Sequence, residues 1–182
     1  MRRGIAVLAL CLATGFAADG VAGDTPDEPA DYRTENYRMP VPATLQGARV
    51  IDTQAAEVLW RGKSAVFIDV LPRPVKPDNL PANTVWREAS HRSIPGAVWL
   101  ANVGYGVVPE PLLQAFQMHL ATLTGGDKAK ILVFFCLRDC WMSWNAARRA
   151  VSWGYGNVIW FPEGTDGWSE ALLPLVEIAP VL

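Results

Sequence analysis

The sequence predicts an α/β fold: a mostly parallel central sheet with helices on both faces. Two patterns carry this reading. Apolar, strand-like runs alternate along the chain with segments of helical period, and those runs are apolar throughout rather than at every second position, as in strands covered from both sides. A third observation sets the scale, because 182 residues with 51% hydrophobic content suffice for one domain with a substantial core.

The elements follow in order. Met1-Arg2-Arg3 and an apolar run from Gly4 to Ala18 read as a secretory signal peptide over residues 1–23, cleaved near Ala18 or near Gly23. The run is too short to serve as a membrane span, so an exported, periplasmic protein with no integral membrane segment after leader removal is expected. Residues 24–46 mix acidic, aromatic and proline residues without a period and form an irregular N-terminal arm, in which Tyr32 and Tyr37 are placed to lie against the domain. Residues 47–182 are the domain.

Within it, Ala48 to Ile51 is a short strand, Thr53 caps a helix through Trp60, and Ala65 to Val70 is a buried strand. Pro72, Pro74, Pro77 and Pro81 keep the next segment irregular until Ile94-Pro95-Gly96-Ala97 turns into the strand Val98-Trp99-Leu100. A helix runs from Pro111 to Leu123 and closes at Gly125-Gly126; the strand Ile131 to Phe135 then leads into Cys136. A helix from Ser143 to Trp153, a strand from Asn157 to Phe161 and a helix over Trp168 to Leu172 complete the chain. Ligands of such sheets sit beyond the carboxyl ends of the strands, where Asp69, the Ser93 region and Cys136 fall.

Cys11 lies in the leader, so Cys136 and Cys140 are the mature chain's expected thiols. A sulfur placed where a buried strand turns into a helix meets unpaired backbone N–H groups, which favour the thiolate. An oxidising compartment also permits the pair to bridge. The charge balance, 16 Lys and Arg against 18 Asp and Glu, shows no basic stripe, which argues against a nucleic-acid partner.

The ordered matches Phe67-Ile68-Asp69-Val70, Ile94-Pro95-Gly96-Ala97, a strand ending in Cys136, and Gly154-Tyr155-Gly156-Asn157-Val158 with Gly164 to Trp168 make residues 47–174 resemble the rhodanese-like domains. That resemblance implies sulfur transfer, with Cys136 as the nucleophile that carries a persulfide. Arg138 would then neutralise an anionic sulfur donor, and Asp69, Ser93, His91, Asp139 and Trp141 would line its site. Two departures stand out: Asp139 places negative charge in the loop, and Ser93 stands where the family often has a histidine.

More narrowly, Cys136-Leu137-Arg138-Asp139-Cys140-Trp141 resembles the secreted Cys-Trp motif (CXXCW) proteins of pyrroloquinoline quinone (PQQ)-dependent alcohol catabolism, with three residues between the cysteines instead of two. It implies a quinoprotein dehydrogenase system as a partner, beside a small sulfur donor or a thiol/disulfide partner protein. No cofactor of the chain itself is required. The residues leave four roles open for the pair: dithiol/disulfide exchange or resolution of a persulfide, a structural bridge in a noncatalytic accessory module, a Cu(I) site completed by Met142, His91 or His119, or two inert cysteines buried in the core.

Overall fold

The structure is a computed structural model that describes residues 25–74, 76–81, 83–87 and 89–182. The expected signal peptide lies outside the described residues. Strands β1 (Arg49–Val50), β2 (Val66–Asp69), β4 (Val98–Trp99), β5 (Leu132–Phe135) and β6 (Val158–Phe161) form a five-stranded sheet in the order β1-β6-β5-β2-β4. All four pairings are parallel. The expected α/β fold with a parallel central sheet is therefore the one observed.

Both faces of the sheet are covered, which is why β5 and β6 are apolar at every position and β2 is apolar up to Asp69. Ile68, Leu132, Phe134, Val158 and Trp160 point to one side, where they pack with α2 (Glu110–Thr124) through Phe116 and Leu120, and with α3 (Trp141–Ser152) through Trp144, Ala147 and Ala150. Phe67, Val133, Phe135, Ile159 and Phe161 point to the other, against Ala56 of α1 (Thr53–Arg61) and Trp168 of α4 (Gly164–Glu170).

Several boundaries differ from expectation for local reasons. Asp52, not Thr53, caps α1: its carboxylate accepts from the Ala55 amide at 2.8 Å, while Thr53 donates from its backbone and hydroxyl to Glu163, tying α1 to the start of α4. Helix α3 starts at Trp141 rather than Ser143. Helix α4 spans Gly164–Glu170 rather than Trp168 to Leu172, and Leu172 has a left-handed φ of 57° that cannot continue a helix.

A two-stranded antiparallel ribbon, β3 (His91–Ser93) with β7 (Val176–Ile178), was not anticipated. The alternation Val176-Glu177-Ile178 is its only signal, too brief to separate from a loop.

The chain leaves β2 toward β4 and leaves β5 toward α3 and β6, so these adjacent strands diverge at their carboxyl ends. Such a divergence opens a crevice. Asp69 pairs in register with Phe135, the residue before Cys136, so the predicted site residues of the two strands flank this switch point.

Gly164 closes the far side of the crevice. Its φ is +53°, and a Cβ there would overlap the Cys136 carbonyl, which accepts a hydrogen bond from the Thr165 amide at 2.9 Å. Gly164→Ala combines overpacking with a left-handed backbone and is expected to destabilise the fold by about 3 kcal/mol, read from urea unfolding.

Candidate functional site

Cys136 and Cys140 form a disulfide with their Cα atoms 6.1 Å apart, within the ordinary range for a bridge. It spans the loop between β5 and α3, so no regular helix has to distort to accommodate it. Asp139, exposed and at φ 52°, supplies the reversal that brings Cys140 back toward Cys136. Of the two sulfurs expected at a helix mouth, Cys140 is there as the N-cap residue of α3, whereas Cys136 precedes the helix by five positions, which corrects the expectation for Cys136.

Both cysteines are buried, with 1% and 2% of their surfaces exposed, and share one apolar cluster with Trp141 and Met142. Three sets of groups close the loop. The Arg138 amide donates to Asp166 at 3.0 Å, so a carboxylate of the protein holds an N–H that an anionic substrate would need. The Arg138 guanidinium makes a two-pronged pair with Glu170 at 2.6 Å on each branch. That hydrogen-bonded pair raises the Arg138 pKa and lowers the Glu170 pKa. Arg138 is thus matched by an internal acid.

The N-terminal arm is the third. Residues 25–46 carry no helix or named strand, and they lie along α3. Arg38 forms an antiparallel bridge with Cys140, and the Tyr37 carbonyl accepts from the Trp141 amide at 2.9 Å, satisfying an N–H of the first turn. The indole N–H groups of Trp141 and Trp144 donate to the carbonyls of Pro40 and Thr44 at 3.1 and 3.2 Å.

Asn145 reads the arm's backbone directly. Its carboxamide accepts from the Arg33 amide at 3.0 Å and donates to the carbonyls of Arg33 and Gly104 at 2.8 Å each. Residues Trp141 to Ala147 are consecutively buried because the sheet takes one side of α3 while the arm and the β4–α2 connection take the rest.

Asp69, Ser93 and His91 form a second group at the end of β2. One Asp69 oxygen accepts from the Leu71 amide at 2.9 Å, and the other meets the Ser93 hydroxyl at 2.5 Å and His91 Nε2 at 2.7 Å. The His91 ring lies 4.5 Å from that of Trp99. Asp69 alternates with Ile68 and Val70 and so points to the Phe67 side of the sheet, whereas Cys136 packs on the Ile68 side. The structure brings Cys136, Arg138, Cys140 and Trp141 together where β5 passes into α3 and sets Asp69, Ser93 and His91 as a separate polar knot. That knot ties β2 to β3.

Sequence reasoning missed Asp166, Glu170 and Asn145. Asn145 carried a signal, a carboxamide amid the apolar residues of a helix. The two acids carried none, since only the closing turn brings them to the loop. For the copper alternative, His91 is committed to Asp69 and His119 lies on α2. The described residues contain no group of three or more His, Cys, Asp or Glu side chains that could hold a metal ion.

No protein-family model matches the chain, and no curated protein matches it. Among solved structures it is similar to the polysulfide-sulfur transferase homodimer from Wolinella succinogenes, at 17% identity over 71% of this chain and 79% of that one, with a TM-score of 0.43. It is also similar to a persulfide form of EanB in a tetrahedral intermediate state with ergothioneine, at 16% identity and a TM-score of 0.50 over 78% of this chain. The match covers 34% of EanB, about a third of its length. At such identities the likeness concerns the fold alone, an α/β domain around a parallel sheet.

Asp166→Ala removes the acceptor of the Arg138 amide, a charge-assisted bond worth roughly 1.5–3 kcal/mol. It is expected to speed opening of the disulfide by dithiothreitol several-fold while the far-ultraviolet spectrum is retained; thiol release against time measures it.

Proposed function

We propose that the chain is an exported thiol–disulfide protein whose working group is the Cys136–Cys140 pair. The observation that carries this reading is the bridge itself, closed across the loop at the switch point of a parallel sheet. A partner thiolate attacks one sulfur, the S–S bond breaks, and the other sulfur leaves as a thiolate that takes up a proton. The partner's second thiolate then attacks the mixed disulfide, so the partner leaves oxidised by two electrons and the pair becomes a dithiol.

Two features support exchange over a persulfide shuttle with an anionic donor. Asp166 occupies the Arg138 amide and Glu170 occupies its guanidinium, so neither meets a donor anion with free charge. The burial of both sulfurs requires the arm around Tyr37 to part from Trp141 before a partner reaches them. A basic and apolar leader supports a periplasmic setting, in which oxidised pairs persist. The Cys-Trp motif resemblance makes PQQ-dependent alcohol catabolism the setting in which to seek the partner.

The sulfurs' burial favours a second reading, a structural bridge in a noncatalytic accessory module. Magnitude weighs against it. A loop closed over four positions restricts the unfolded chain by only roughly 2 kcal/mol.

Reduction of the intact protein without denaturant separates the two. Exchange predicts that maleimide labels both cysteines while the near-ultraviolet spectrum stays native, and that Cys136→Ser and Cys140→Ser each abolish oxidation of a dithiol peptide. A bridge that opens only together with global unfolding refutes exchange and leaves the structural reading. Loss of function with Cys136→Ser alone would instead restore the persulfide reading.

A further inference from the structure

The seam between the arm and α3 holds three guanidinium groups whose hydrogen bonds go to carbonyl oxygens and which lie against aromatic rings. Arg33 donates to the Glu35 carbonyl at 2.7 Å. Arg148 donates to the carbonyls of Pro29 at 2.7 Å and of Ala30. Arg149 donates to the carbonyls of Val103 and Gly106 at 3.3 and 2.8 Å. Arg61, His91 and Arg138, by contrast, each meet a carboxylate.

Arg149 is the extreme case, with 4% of its surface exposed. Burial lowers its pKa, opposed only by the hydroxyl groups of Tyr32 and Tyr37. Carbonyl dipoles and the Tyr32 ring, 4.2 Å from the guanidinium carbon, reduce the cost of the charge without cancelling it. The Arg148 guanidinium lies 5.5 Å from the same ring, so a second positive group adds to the local potential.

Arg149 and Tyr32 also line a cleft of about 330 Å³ whose remaining wall includes Val107, Val108, Leu113 and Trp153. That volume falls at the small end of ligand sites, which run from roughly 300 to 1,000 Å³. A guanidinium has five N–H groups, and two carbonyls leave some of Arg149's free to meet a flat acceptor with two oxygens. The apolar wall favours a single negative charge on a hydrocarbon body over a highly charged phosphate.

We propose that this cleft binds a small aliphatic monocarboxylate, with its charge on Arg149 and its chain against Leu113 and Trp153. The site is distinct from the cysteine pair.

Calorimetric titration of the full chain with hexanoate, and with 1-hexanol as the uncharged match, tests it at up to about 20 mM ligand, a range that covers Kd values near 1 mM. Saturable hexanoate binding is expected, with hexanol at least about tenfold weaker. Leu113→Trp fills the cleft and leaves Arg149 in place; it is expected to abolish binding at an unchanged melting temperature. Arg149→Gln is expected to erase the preference for hexanoate over hexanol. Equal affinity for both ligands, no saturation by hexanoate, or full hexanoate binding by a folded Leu113→Trp protein would overturn the assignment.

Discussion

The parallel pairing of β2 with β5 is the constraint on which the rest depends. Four residue pairs, from Val66 with Leu132 to Asp69 with Phe135, stand in register between two covered faces. A slip of one residue would exchange the faces of every side chain in β5. Because the chain diverges after this pair, Asp69 and Cys136 both emerge at the crevice, yet from opposite faces of the sheet. One register therefore fixes both the nearness of the two polar groups and their separation.

What surrounds Cys136 follows from that position. The groups of the loop that could meet an anion already have partners within the chain, with Asp166 on the Arg138 amide and Glu170 on its guanidinium. The arm adds a further layer by completing the first turn of α3 through the Tyr37 carbonyl. The loop is closed from three directions. Its sulfurs are consequently joined to each other instead of facing solvent.

The sheet was legible because strands covered on both sides write themselves as apolar runs: Ala65 to Val70, Ile131 to Phe135 and Asn157 to Phe161 each contain an observed strand. Helix closure at Gly125 was equally plain, since its left-handed φ of 64° suits glycine. Contacts made at long range were not legible. Asp166 lies 28 residues from the amide it caps, and Asn145 lies 112 residues from Arg33, so no local pattern announces either bond. The three-residue strand His91–Ser93 was hidden for the same reason, its ladder being formed with a segment near the carboxyl terminus.

Indole nitrogens hold much of the irregular chain in place. Trp60 donates to the Pro95 carbonyl, Trp141 to that of Pro40 and Trp168 to that of Pro174, at 2.8, 3.1 and 2.8 Å, and Trp99 secures Leu71 at 2.7 Å. Proline cannot donate to a β ladder, but its carbonyl is a free acceptor, so ring N–H groups stitch down stretches that backbone pairing cannot reach. Order in those stretches thus depends on the most easily photo-oxidised side chains in the protein. Photo-oxidation of these indoles would unfasten the loops, and at Trp99 of β4 and Trp168 beneath the sheet it would disturb the core as well.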